Sequence, residues 1–211
     1  MTVFIYFVMF AIGATIGSFC TLAVYRIPLR KDITHERSFC PNCNHRLEFI
    51  DLIPILSYVF LGGKCRYCGK KIRIRYLLLE LIAGFITLTL VLSFNFNMQI
   101  LEMSKYIGIF LIILYITGIT IISGIDKENK QIELPVLIYN SIVLFMYIIY
   151  LFVVGETNIN RYAIYLFFMF ALFATRIIDS HMKQKRNQPI GLYIGIANVI
   201  LIIMQNFIYY R

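Results

Sequence analysis

Six long apolar runs leave this chain few ways to fold. They cover about residues 3–25, 76–94, 106–125, 134–154, 161–178 and 189–209. Each approaches or exceeds the roughly 20 apolar residues that a helix needs to cross the hydrocarbon core of a bilayer. Lipid offers no partner to a backbone N–H or C=O, so a spanning segment of this length reads as an α-helix. Composition agrees: 60% of the residues are hydrophobic, well above the share of a soluble domain. Tyr25, Tyr76, Tyr106, Tyr150, Tyr162 and Tyr209 fall near the ends of the runs, where amphipathic rings favour the headgroup layer. The first run is too long for a signal-peptide core and no small-residue cleavage site follows it, so it is expected to be retained. The predicted class is an all-α polytopic membrane protein of about six transmembrane helices.

The formal charge of +9 is distributed in a way that selects among partners. Residues 26–75 hold eleven Lys or Arg, and Lys127 with Lys130, then Lys183, Lys185 and Arg186, form further clusters. Residues 95–105 carry only Lys105 and residues 155–161 only Arg161. Rich and poor loops alternate, as six spans require. The positive-inside rule then sets the amino terminus outside and the loop 26–75 in the cytoplasm, in a multi-pass plasma-membrane protein. A nucleic-acid partner is excluded by the same pattern, because the charges bracket apolar spans and no soluble region is large enough to form a groove. No inverted repeat or paired broken helices suggest a transporter.

The one long polar insertion contains "CPNC" and "KCRYCGKK". Cys40 and Cys43 form one Cys-x-x-Cys pair, Cys65 and Cys68 the other, with twenty-one residues between them. Two such turns each present two sulfurs to one point, which suits tetrahedral Zn²⁺ and resembles a four-cysteine zinc ribbon. A loop of this size has little core of its own, and a metal would hold it together. The other reading is four free or redox-active thiols; structural disulfides do not suit a reducing compartment. His35 and His45 flank the ribbon and are not needed as ligands. Cys20, inside the first span, reads as a small packing residue.

Acids in or beside a membrane are few here, and costly enough to be functional candidates. Glu80 begins the second span, Asp126 ends the third and Asp179 ends the fifth. The predicted topology brings Asp126 and Asp179 to the same, cytoplasmic, surface. Two carboxylates sharing a site can divide the work of an aspartic protease: one as general base on water, the other as general acid toward the scissile amide. The alternative is a pair of solvated acids at helix ends, matched to Lys127 and Lys183.

The order of motifs adds a resemblance. "GSFCTLAVYRIP", "CPNCNHRLEFIDLIPILSYVFLGGKCRYCG" and "IRYLLLELIAG" closely resemble the amino-terminal half of type IV prepilin peptidases. Gly17, Ser18, Phe19, Arg26, Pro28, Asp51, Ile53, Pro54, Gly63, Tyr76 and Glu80 match that family's pattern over residues 11–90. In "GIDKENKQIELPVLI", Asp126 takes the place of the family's first catalytic Asp, although Glu133 stands where its Pro is usual and Pro135 follows two residues later. The second catalytic Asp belongs to a Gly-x-Gly-Asp motif, which this sequence lacks. "RIIDSHM" is similar to the segment before that motif, so Asp179 is the candidate by position.

The resemblance implies two regions. Residues 1–90 hold the first span, the ribbon loop 26–75 and the start of the second span; residues 91–211 form a shortened transmembrane peptidase region. It also implies a membrane aspartic endopeptidase that removes the leader of pilin-like precursors, in a type IV pilus, competence or secretion system. Some members of the family also methylate the new amino terminus, which would require S-adenosylmethionine. No glycine-rich turn after a strand marks a site for that cofactor. Because the Gly-x-Gly-Asp is missing, the alternative expectation is a truncated, inactive relative serving as a zinc-binding membrane scaffold.

Overall fold

The computed structural model describes residues 2–93, 103–155, 158–181 and 186–209. The basic residues Lys183 and Lys185, and most of the charge-poor loop 95–105, lie outside them. The order of elements is α1 (Thr2–Arg26), a 3-10 turn (Phe49–Leu52), α2 (Leu56–Phe60), α3 (Ile74–Ser93), α4 (Met103–Asn129), α5 (Leu134–Val153), α6 (Ile159–His181) and α7 (Ile190–Tyr209). No strand occurs among the described residues; the loop after α1 contains two isolated antiparallel bridges, Phe39 with Arg46 and Lys64 with Lys71. Among the described residues six helices are long and apolar enough to cross a membrane, and they are the six runs read from sequence. Two of them extend past the expected ends. α4 continues to Asn129 and α6 to His181, so Asp126 and Asp179 sit within the last helical turns.

The helix ends have local causes. Pro28 cannot continue α1. α4 stops at Lys130, whose φ of 57° closes the helix with its N–H on the Asp126 carbonyl. α5 opens on Glu133 with a proline in its first turn, where a missing N–H costs nothing.

The chain divides into two compact units, Met1–Leu88 and Thr89–Arg211. In the first, α1 and α3 cross closely. A Cβ at Gly13 would lie 2.7 Å from the Ala83 carbonyl, and one at Gly17 3.0 Å from that of Leu79. Small residues that let backbones approach are the usual means of helix packing in lipid. Phe10 packs edge-on against Phe85 beside this crossing, and Cys20 is buried, as a packing residue should be.

In the second unit α4 packs on α5 and α7, and α6 packs on α5 and α7, a four-helix ring. Ile112, Ile119, Ile122, Leu137, Leu172 and Ile202 fill its centre. Polar groups are buried there too. Asn198 donates to the Tyr115 hydroxyl at 2.9 Å, and Arg161 donates to Asn206 Oδ1 at 2.6 Å and to the Tyr147 hydroxyl at 3.2 Å. Such bonds tie neighbouring helices where the hydrophobic effect gives little net drive.

Candidate functional site

The two Cys-x-x-Cys segments fold as the same turn. The N–H of Asn44 bonds the Cys40 carbonyl at 2.9 Å, and the N–H of Gly69 bonds the Cys65 carbonyl at 2.9 Å. Cys40 N–H reaches the His45 carbonyl at 3.0 Å, and Cys65 N–H the Lys70 carbonyl at 2.9 Å. Asn44 and Gly69 both adopt left-handed backbone, at φ 56° and 68°. Those are the residue types that tolerate it. Glycine after Cys68 is a turn former on sequence alone; nothing in the sequence marks Asn44 as its equivalent.

These turns gather the four sulfurs of Cys40, Cys43, Cys65 and Cys68 within 4.8 Å of one another, with Cys40 and Cys65 buried. Cys40 Sγ and Cys68 Sγ are 4.0 Å apart. Zn–S bonds of about 2.3 Å in a tetrahedron need nearly this separation, so the cluster can hold a metal ion. The surroundings favour a thiolate at two of the four, Cys68 and Cys40. At Cys43 the His45 N–H lowers the thiol, but desolvation and the neighbouring sulfurs outweigh it and push it up to about 11. The Lys70 N–H and the Asn42 side-chain amide hold the Cys68 thiol down to about 6. Burial pushes the Cys40 thiol up, but the N–H groups of Cys43 and Asn42 outweigh it and the net shift is downward. The turns are also fastened to each other: Lys70 donates to Asn42 Oδ1, and the His45 ring stacks on Tyr67 at 3.6 Å. His45 is thus a packing group rather than a competing ligand, and His35 is paired with Asp32.

Three residues from the sequence motifs secure the loop. Arg26 is buried and donates to the carbonyls of Asp32, Glu36 and Arg37 at 2.9, 2.9 and 3.3 Å. The Asp51 carboxylate accepts from Arg66 Nε at 2.8 Å and from the Tyr67 hydroxyl at 3.3 Å, fixing the second turn. Glu80 accepts the N–H of Ile55 at 2.7 Å.

In the second unit, Asp126 and Asp179 converge on Arg186. The Arg186 guanidinium donates to Asp126 Oδ1, to Asp179 Oδ1 through Nε at 2.5 Å, and to Asp179 Oδ2 at 3.2 Å. The three side chains are 0%, 3% and 5% exposed for Asp126, Asp179 and Arg186. Backbone donors complete the set: Leu192 N–H reaches Asp126 Oδ2 at 3.2 Å, and Ile132 N–H reaches Asp179 Oδ2 at 3.2 Å. Gly191 makes the approach of α7 possible, since a Cβ there would come within 3.2 Å of the Asp126 carboxyl carbon.

The sequence had named both acids but not their shared cation. Lys127, one of the cations expected beside them, is exposed; Arg186, counted there only among loop charges, is the one buried between them. Its signal was weak, because nothing in "KQKRNQP" distinguishes it from its two neighbouring basic residues, Lys183 and Lys185.

Comparison with known proteins locates this architecture. Residues 11–94 match the Bacterial Peptidase A24 N-terminal domain. A Myxococcus xanthus protein named prepilin leader peptidase/N-methyltransferase is 36% identical over 92 residues, covering 44% of this chain and 28% of that protein. A Vibrio cholerae protein of the same name is 38% identical over 87 residues, 37% of this chain and 34% of that one. One from Bacillus subtilis is 36% identical over 106 residues, 50% of this chain and 43% of that one. The match thus spans less than half the length of each of these relatives. No solved structure matches. The matched segment holds α1 from residue 11 onward, both cysteine turns, Asp51, Glu80 and all of α3, and over it the chain is similar to the amino-terminal domain of type IV prepilin peptidases.

Proposed function

We propose that this chain is a membrane aspartic endopeptidase that removes the leader from type IV pilin-like precursors at the cytoplasmic face of the plasma membrane. The observation that carries the proposal is the convergence of Asp126 and Asp179 on one buried point, in a chain whose amino-terminal domain matches a peptidase family. In the reaction one carboxylate takes a proton from water as it attacks the scissile carbonyl, and the other protonates the departing amine. Arg186 must leave at least one carboxylate oxygen for that water to bind. Cys40, Cys43, Cys65 and Cys68 would hold a structural Zn²⁺ that stiffens the loop and takes no part in bond cleavage. The amino terminus lies outside and the cysteine loop inside. The relatives' names include N-methyltransferase; the present proposal is confined to cleavage.

A second reading has its own observation. A guanidinium that bonds both carboxylates can be a fixed ionic latch between α4, α6 and the start of α7, and the chain would then be a zinc-binding scaffold without activity. One experiment separates the two. Co-expressed with a pilin-like precursor, the wild-type chain removes the leader. Asp126→Asn and Asp179→Asn each abolish removal while purified protein melts within a few degrees of wild type. Loss of melting temperature with no cleavage by the wild type on any precursor tested selects the latch.

A further inference from the structure

The segment between the two cysteine turns is apolar and uncovered. Neither the 3-10 turn Phe49–Leu52 nor α2 has a single buried residue. Phe49 is 83% exposed, Phe60 84% and Val59 63%, and Ile50 and Leu56 are more than half exposed. An apolar patch that size in a polar loop marks a surface that something covers.

Its depth follows from one hydrogen bond. Ile55, which opens α2, gives its N–H to Glu80 at 2.7 Å. Glu80 is six residues into α3, one of the six spans, which puts it on the order of 9 Å along the helix from Ile74. Gly17 of α1 abuts the Glu80 backbone, and α1 continues for nine residues more. The start of α2 is therefore tied to a point inside the length of both spanning helices rather than beyond their ends. The position is enforced. Ile55 has φ 64°, a conformation costly for a β-branched residue, and it is held there by the Glu80 carboxylate.

Charge complements the depth. Residues 26–75 carry eleven Lys or Arg against four Asp or Glu, and Lys64, Lys71 and Arg73 beside the patch are exposed. Aromatic and aliphatic side chains flanked by basic ones are the composition of a segment that lies in the interface of an anionic bilayer. We infer that residues 49–60 form a wedge in the headgroup and upper acyl layer of the membrane the chain spans, with Phe49, Ile50, Leu56, Val59 and Phe60 in lipid and the flanking Lys and Arg on lipid phosphates. The wedge would set the cysteine loop flat against the membrane. This inference does not depend on peptidase activity.

The chain has no tryptophan, so a single one reports its own surroundings. Full-length protein with Phe60→Trp, zinc-loaded, goes into nanodiscs of phosphatidylcholine and phosphatidylglycerol with or without bromine on the acyl chains. Bromolipid is expected to quench Phe60→Trp strongly, as it does Phe170→Trp on the exposed face of α6, while Arg37→Trp keeps its emission. Val59→Trp repeats the measurement should Phe60→Trp fold poorly. Retention of emission at both wedge positions, with zinc bound and Phe170→Trp quenched, overturns the inference. If that emission then shifts on adding a pilin-like precursor, the patch is a protein-docking surface instead.

Discussion

Removing Arg186 strands two buried carboxylates. Charge taken from water is tolerated when paired, and deleting one partner of such a set costs about 3–5 kcal/mol. Arg186→Met is therefore expected to lower the melting temperature of the detergent-solubilised protein sharply. Adding Asp126→Asn and Asp179→Asn to it should recover most of the loss, because the three neutral side chains no longer need each other and the Asn oxygens can still accept from Leu192 and Ile132. If the triple variant melts as low as Arg186→Met, the arginine acts by packing its stem and not by charge. The two acids were readable from sequence as rare carboxylates at span ends. The arginine was not, because a basic residue in a loop expected to be cytoplasmic is already explained by the positive-inside rule, and only its bonds to both carboxylates distinguish it.

The cysteine turns separate what spacing reveals from what tertiary contact decides. The spacing of Cys40, Cys43, Cys65 and Cys68 was enough to expect one metal, and the clustered sulfurs fit that expectation. The ties that orient the loop were out of reach, because they join residues far apart: Glu80 to Ile55, Arg66 to Asp51, Arg26 to three carbonyls. The 3-10 turn and α2 were likewise hidden inside what read as plain loop. Backbone handedness gives a local test. No atom lies within 4 Å of where a Cβ on Gly69 would go, so Gly69→Ala meets no clash and should cost only the left-handed penalty, about 1–2 kcal/mol. Asn44→Gly should be close to neutral. Urea titration of the loop, followed by metal release, reads both. Cys65→Ser removes a ligand outright. Zinc content is expected to fall from one per chain to near none, and trypsin to cut within residues 26–75, while the spans stay in the membrane because their insertion rests on apolar length. Full zinc content in Cys65→Ser would mean the metal is held elsewhere.

Across the whole chain, hydropathy was the most faithful guide, because backbone pairing in lipid leaves a run of twenty apolar residues no choice but helix. It said nothing of the polar interior of the second unit. Asn198 and Asn206 are single residues inside an apolar run and Arg161 stands at the edge of another, and which helix each faces depends on packing that periodicity alone does not fix. Orientation rests on charge, and it has consequences for the acids. Lys127 and Lys130 follow Asp126 within four residues, so the carboxylates share whichever side the basic loops take. A reporter series tests this directly. Green fluorescent protein joined after Asn129 is expected to fluoresce and alkaline phosphatase there to be inactive, since that point should be cytoplasmic. Joined after Asn158, beyond one more span, the phosphatase should be active and the fluorescent protein dark. The reverse pattern at both points would turn the molecule over. Asp126, Asp179 and Arg186 would then open away from the cytoplasm, where a precursor still carrying its leader would not meet them, and the proposed cleavage would lose its site.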